Sequence, residues 1–255
     1  MIEIKTPAEI EKMRATGKVV ATALQAMQDA AKVGMTLKQL DAVGAGVLKE
    51  AGATSPFLNY HPDWAPTPFP GSICASVNDV IVHGIPNDLV IQDGDVVSID
   101  FGAVLDGWCG DSARTFIVGT PRDEDLELVE VTRKALYAGI EVARVGNTIG
   151  DIGYAIDKVA RKARMGNLED HGGHGIGTEM HMEPFVPNEG RRKKGLKLIP
   201  GLVIAIEPMF IADGRSDYKH DDDGWTIRTV KGARAAHWEH TVAITENGPD
   251  ILTLV

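Results

Sequence analysis

The chain repeats itself. Lys32-Val33-Gly34-Met35-Thr36-Leu37 and Arg144-Val145-Gly146-Asn147-Thr148-Ile149 follow one pattern, a glycine helix stop and then a threonine N-cap that opens a new helix. GDVVSID (94–100) and GLVIAIE (201–207) follow another, an apolar β-type run closed by an acid. The two pairs occur in the same order and at similar offsets, as an internal repeat requires. Such a chain is restricted to few folds. Two pseudo-symmetric α-α-β-β halves, about residues 1–120 and 121–255, are expected to share a central antiparallel sheet with helices outside. The expected class is α/β in the broad α+β sense, in a single domain. Coincidence between two common helix-stop motifs is the competing explanation.

Local signals place the elements. Thr6-Pro7-Ala8-Glu9 is a capping box with proline at the first helical position. Behind it Ile10, Met13, Gly17, Val20, Leu24, Met27 and Ala31 recur at steps of three and four, one apolar stripe of an amphipathic helix. The next helix runs to about Ala51-Gly52. In the second half helices are expected from about Arg122 to Ala143 and from Thr148 to about Gly166. Asp106-Gly107, between β-prone runs, is a two-residue hairpin turn. That turn sets Leu105 opposite Trp108, Gly102 opposite Asp111 and Asp100 opposite Ala113. Strand side chains alternate, so Asp111 shares a face with Asp100 as its diagonal neighbour.

An acid that closes a buried strand is unfavourable unless something positive meets it. Asp100 and Glu207 both do so, and Glu239 sits in a third β-like run, Ala235–Ile244. Pseudo-symmetry predicts that Glu207 and Glu239 copy the Asp100/Asp111 arrangement from the opposite side. No matching set of buried Lys or Arg is visible, and four acids in one cavity would raise each other's pKa. Two divalent cations bridged by carboxylates would satisfy them. One nitrogen ligand is expected from His171-Gly172-Gly173-His174-Gly175-Ile176-Gly177, whose glycines let the backbone approach a ligand closely. A phosphate cradle is the rival reading there, but the Lys and Ser/Thr of a P-loop are missing. A carboxylate-rich site favours Mn, Fe(II) or Co over copper or structural zinc, with Zn or Ni as in vitro alternatives. His83 and His181 sit in turn-forming contexts, and spacing alone leaves them open between hydrogen-bonded core residues and catalytic groups.

Composition excludes several functions. The net charge of −10 argues against general nucleic-acid or DNA binding. No run approaches the roughly 18 apolar residues of a membrane helix. The amphipathic start lacks the apolar stretch of a secretory signal, and two cysteines suit a reducing cytoplasm. Arg191–Lys197 reads as a solvated loop, with contact to RNA or a ribosomal surface as the minor alternative. Asp213–Asp223 reads as a polar turn without chemistry.

Six segments together resemble the methionine aminopeptidases of the bacterial type I class. They are ICASVNDVIVHGIP, GDVVSIDFGAVLDGWCGDSARTF, GGHGIGTEMHMEP, PGLVIAIEPMF, DGWTIRT and HWEHTVAIT, and the resemblance covers nearly the whole chain. It implies the pita-bread fold, two related halves around a two-metal centre. It also implies metal ligation by Asp100, Asp111, His174, Glu207 and Glu239, and substrate contact or transition-state support from His83 and His181. Tyr60, Phe69, Cys74, Met180 and Trp225 would line the methionine pocket. The chain departs from the family at Pro62–Pro68, an apparent insertion at the pocket rim, and at Met180, where an aromatic residue is common. The spacing between His181 and Glu207 leaves no room for the helical insertion of type II relatives.

The implied activity is removal of the initiator methionine from nascent chains whose second residue is small. Glu207 would be general base then acid, His181 the oxyanion donor, and His83 the partner of the scissile nitrogen. Nascent polypeptide N-termini would be the partners, with transient ribosome contact, for a cytoplasmic monomer. The chain's own Met1 should be retained, because Ile2 is bulky. Two rivals remain. An Xaa-Pro aminopeptidase or prolidase has similar ligands but usually an extra N-terminal domain. A non-catalytic, ribosome- or RNA-binding paralogue of the fold would be marked by lost ligands.

Overall fold

The computed structural model describes residues 2–168 and 170–255, so Met1 and the expectation that it is retained lie outside the described residues. The first half runs α1 (Pro7–Ala30), α2 (Leu37–Ala51), β1 (Cys74–Val77), β2 (Val80–Val82), β3 (Asp95–Leu105) and β4 (Trp108–Val118). The second opens with α3 (Asp123–Val142) and α4 (Ile149–Ala163), then β5 (Gly166–Asn167), β6 (Gly172–Gly175) and β7 (Met182–Pro187). It continues with β8 (Val203–Ile206), β9 (Met209–Ile211), β10 (Tyr218–His220) and β11 (Ile227–Thr229), and closes with β12 (Ala235–His237), β13 (His240–Thr245) and β14 (Gly248–Ile251).

Thr6 accepts from the Glu9 amide while Glu9 bonds the Thr6 amide, so the predicted capping box starts α1. The stripe from Ile10 to Met27 is buried, and Ala31 is the C-cap. Each half has its own apolar core. Leu24, Met27, Leu40, Ile99 and Phe101 belong to one, and Leu136, Ile152, Ile156, Ile204 and Ile206 to the other. The halves match in detail. Thr36 and Thr148 both close capping boxes, at the starts of α2 and α4. Both also form isolated bridges, to Val90 and Lys197 respectively. Gly52 and Arg164, which end those helices, are both left-handed. That left-handed Arg164 stops α4 before Gly166, earlier than expected. Gly166 instead enters β5, where a Cβ would meet the Arg215 carbonyl at 1.7 Å.

The β3–β4 hairpin has the register read from the sequence: Leu105 pairs with Trp108, Gly102 with Asp111 and Asp100 with Ala113. Its turn residues Asp106 and Gly107 have φ of 49° and 79°, as a type I′ turn demands. β4 then lies along β12–β13 across the pseudo-two-fold. Ala113 and Glu239 exchange backbone hydrogen bonds of 3.4 and 3.0 Å, and the Asp111 amide donates to Thr241 Oγ1 at 3.0 Å.

One expectation is overturned. Ile206 pairs with His240 and Met209 with His237, so the same register on both sides of the break sets Glu207 directly opposite Glu239. Asp100 and Glu207 are counterparts, but the counterpart of Glu239 is Ala113 and that of Asp111 is Thr241. The second half therefore does not copy the diagonal Asp100/Asp111 pair. Each half instead supplies one acid at the common position and one at a position of its own.

Candidate metal centre and substrate cavity

Donors from the β3–β4 hairpin, two strand breaks and β6 converge on one point. Asp100 and Asp111 come from the β3–β4 hairpin, Glu207 from the break between β8 and β9, Glu239 from that between β12 and β13, and His174 from β6. Ligand atoms of Asp100, Asp111 and Glu239 lie within 4.8 Å of one another, and so do those of His174, Glu207 and Glu239. His174 Nε2 is 3.6 Å from Asp111 Oδ2 and 3.7 Å from Glu207 Oε1. His174 Nδ1 is 2.9 Å from the Gly175 carbonyl. Donation there puts the proton on Nδ1 and leaves the Nε2 lone pair facing the acids, the tautomer a metal ligand needs.

The glycines around His174 act differently from the expectation. A Cβ on Gly173 would come within 2.0 Å of the Ala205 carbonyl, and one on Gly175 within 2.2 Å of the Glu183 carbonyl. They bring β6 close to its neighbouring strands rather than to a ligand, and so hold His174 beside Glu207.

The donor set fits divalent cations and little else. Asp100 Oδ1, Asp111 Oδ1 and Glu239 Oε1 are buried without any hydrogen-bond donor. Such oxygens are strongly unfavourable unless a cation meets them. Burial, reinforced by neighbouring carboxylates, pushes Asp100 and Glu239 well above the ordinary range. Burial also raises Asp111, although His174 opposes it. Glu207 goes the other way: burial would raise it, but His237 and His174 together hold it low. His174 is raised in turn, because Asp111 and Glu207 outweigh its burial.

The acids form the floor of a cavity of about 320 Å³. At one end are the aromatic rings of Tyr60, Trp64, Phe69 and Trp225, with Cys74 beside Asp100 on the paired strand. Trp225 organises that end: Phe69 lies edge-on at 5.1 Å, Trp64 at 5.0 Å, and its Nε1–H donates to the Thr67 carbonyl at 3.0 Å. His83 and His181 flank the acids. His83 has a left-handed backbone (φ 59°), uncommon for a non-glycine residue, and burial lowers its pKa to about 4. His181 stands exposed at the cavity mouth, and the partial desolvation of its imidazole, then His174 at a ring distance of 4.6 Å, lowers it to about 4 as well. Both imidazoles are therefore neutral near pH 7.

Met180 does not line the cavity. Gly102 lacks a side chain, and Met180 fills the space over it, its Cε 2.1 Å from where a Cβ would stand, packed with Phe57, Trp108 and Cys109. Sequence reasoning also missed contributors to the wall: Phe57, Trp64, Asp170, His171, Phe185 and Met209. Trp64 was within reach, since it is the one large apolar residue of the insertion. His237 was missed too, buried at the end of β12 two residues before Glu239, with Nε2 3.4 Å from Glu207 Oε2.

The segments expected to be inert are nearly so. Arg191–Lys197 is a fully exposed loop. Asp213–Asp223 is more ordered than a turn, because it contains β10. Asp221 there pairs with Arg228 at 2.7 Å, and Asp223 caps the Trp225 and Thr226 amides at 2.8 Å.

A five-residue donor set, buried or half-buried, joined to an aromatic-ended cavity defines a metal-dependent hydrolase site, and comparison with known proteins gives the family. The chain belongs to metallopeptidase family M24, which it matches over residues 11–246. It is 49% identical to methionine aminopeptidase 1 of Mycobacterium tuberculosis, over 98% of this chain and 94% of that one. It superposes on the crystal structure of methionine aminopeptidase from Rickettsia prowazekii with a TM-score of 0.95 and 40% identity, covering all of both chains. The fold is therefore the pita-bread fold of those enzymes. The prolidase from Pyrococcus furiosus is more distant, at 25% identity and a TM-score of 0.75, and this chain covers 65% of it. No helix among the described residues is long and apolar enough to cross a membrane.

Proposed function

We propose that the protein is a methionyl aminopeptidase that removes the initiator methionine from nascent chains whose second residue is small. The carrying observation is the juxtaposition of three donor-less buried carboxylate oxygens with an aromatic-ended cavity. Asp100, Asp111, His174, Glu207 and Glu239 would hold two divalent ions, Mn, Fe(II) or Co, with Zn or Ni as in vitro substitutes. Bound there, such ions supply a nucleophilic water by lowering its pKa towards about 7.

The residues then divide the work. Glu207, held low and so ionised at neutral pH, takes a proton from the attacking water and returns it to the leaving nitrogen. His181 is a neutral N–H donor for the developing oxyanion, and His83 hydrogen-bonds the scissile amide nitrogen. Tyr60, Phe69, Cys74 and Trp225 receive the methionine side chain, whose unbranched thioether suits an apolar, aromatic-edged slot. Trp64 joins them from the insertion, while Met180 supports the site from behind. The chain works as one catalytic domain built from two related halves, in the cytoplasm, as a monomer.

Peptide cleavage by metal-stripped protein, with and without each ion, tests this reading. Methionine release from Met-Gly-Met that depends strictly on added metal is expected. Release confined to Xaa-Pro peptides would make the enzyme prolidase-like, and silence with every divalent ion would make it a binding paralogue.

A further inference from the structure

The mechanism leaves His237 unused, although it is a buried titratable side chain beside Glu207. His237 is 2% exposed, and its Nε2 makes no well-formed hydrogen bond, with the Glu207 carboxylate 3.4 Å away as the acceptor it faces. Its backbone is fixed on both sides: the amide donates to Thr115 Oγ1 at 3.0 Å, and Thr115 Oγ1 donates to its carbonyl at 2.7 Å. The ring therefore sits on a rigid strand pair, across from Met209 and next to the β8–β9 break that carries Glu207. Nε2 lies 3.4 Å from Glu207 Oε2. The other carboxylate oxygen, Oε1, is 3.7 Å from His174 Nε2 and faces the acid cluster. The Glu207 backbone is held separately, its carbonyl accepting from Asn188 Nδ2 at 2.8 Å.

We propose that His237 is the positioning residue for Glu207, gripping Oε2 through Nε2–H so that Oε1 alone is presented to the metal pair. A buried, unpartnered ring nitrogen is unfavourable by itself, and the Glu207 oxygen is the acceptor beside it. A ligating carboxylate free to rotate loses configurational entropy each time it binds an ion. An outer partner removes that freedom beforehand, and loss of such a partner typically weakens metal affinity about 10–100-fold. His237 touches neither substrate nor reacting atoms, so its effect is exerted through Glu207.

The inference rests on the metal-site reading, and its test separates the two. Metal-stripped wild type, His237→Leu and His237→Gln are titrated with Co(II), read by calorimetry and by the visible absorption of bound cobalt. Leu fills the space without a donor, and Gln restores an N–H at similar reach. Expected is a 10–100-fold weaker dissociation constant for Leu and near-wild-type binding for Gln, with both apoproteins melting cooperatively. Should the Leu variant fail to fold, His237→Asn, whose amide is too short to reach Oε2, takes its place and should bind as weakly. Wild-type cobalt affinity in whichever of these two folds overturns the proposal. Failure of the wild type itself to bind Co(II) would overturn the metal site instead.

Discussion

Replacing Glu239 by Gln should stabilise the metal-free protein while destroying the benefit of metal. Glu239 is 1% exposed and its Oε1 has no donor, so its charged form has no compensation in the apoprotein. Its carboxyl is driven well above the ordinary value, first by burial and then by Asp111, Glu207 and Asp100. A raised folded-state pKa means that the native apoprotein binds the proton more tightly than the unfolded chain does. The group is therefore harmless below about pH 4.5, and the apoprotein loses stability as pH rises through the native pKa. At pH 7 the penalty cannot exceed that of simply protonating an ordinary Glu, about 3.5 kcal/mol. Gln removes it and offers an amide to the neighbouring carboxylates. The expected gain is about 1–3 kcal/mol, or roughly 3–10 °C in the apo melting temperature for a chain of this size. With an ion at a hundred times its dissociation constant, the wild type regains about 2.7 kcal/mol that the variant forfeits. Calorimetric melts of both proteins, stripped and loaded, at pH 5 and pH 8, should show the order of stability reversing with metal and the apo difference growing with pH. An apo variant less stable than the wild type at pH 8 would refute the argument that the acids strain the empty site.

Other consequences are simpler. His181→Ala should keep both metals, by elemental analysis, while kcat falls about a hundredfold, as for loss of an oxyanion donor; loss of metal there would make His181 a ligand. Trp64→Ala should raise KM for methionyl peptides about fivefold with kcat unchanged, from about 1 kcal/mol of lost apolar contact, and should leave the fold intact because Trp64 is 63% exposed. An unchanged KM would remove it from the pocket wall. Cys109 is 3% exposed and its thiol is pushed up to about 12 by burial and then by Asp111, so it should resist thiol reagents at pH 8 until the protein unfolds. Rapid native labelling of Cys109 would contradict the packing around it.

What could be read from the sequence followed the range of the interactions. A two-residue turn fixes its hairpin locally, so Asp106-Gly107 sufficed to place Asp100 and Asp111 on one face with the correct partners. Glu207 and Glu239 are joined through β10 and β11, with no turn to set a register, and Pro208 interrupts the strand between them. Symmetry was the available guide there, and it failed because the halves share strands but not every acid. The glycines beside His174 were recognisable as positions of close approach. What they approach, the carbonyls of Ala205 and Glu183, is a tertiary fact. Met180 was misplaced because the hole above Gly102 exists only once the hairpin packs. His237 had no signal of its own: a histidine in an apolar strand acquires meaning only from what faces it.

The most direct measurement is an anomalous difference map of the crystalline protein loaded with Mn(II) or Co(II), collected on either side of the metal edge. Two peaks about 3.5–4 Å apart are expected, enclosed by Asp100, Asp111, His174, Glu207 and Glu239. Peaks elsewhere on the molecule, or those carboxylates turned away from one another with no ion between them, would contradict it.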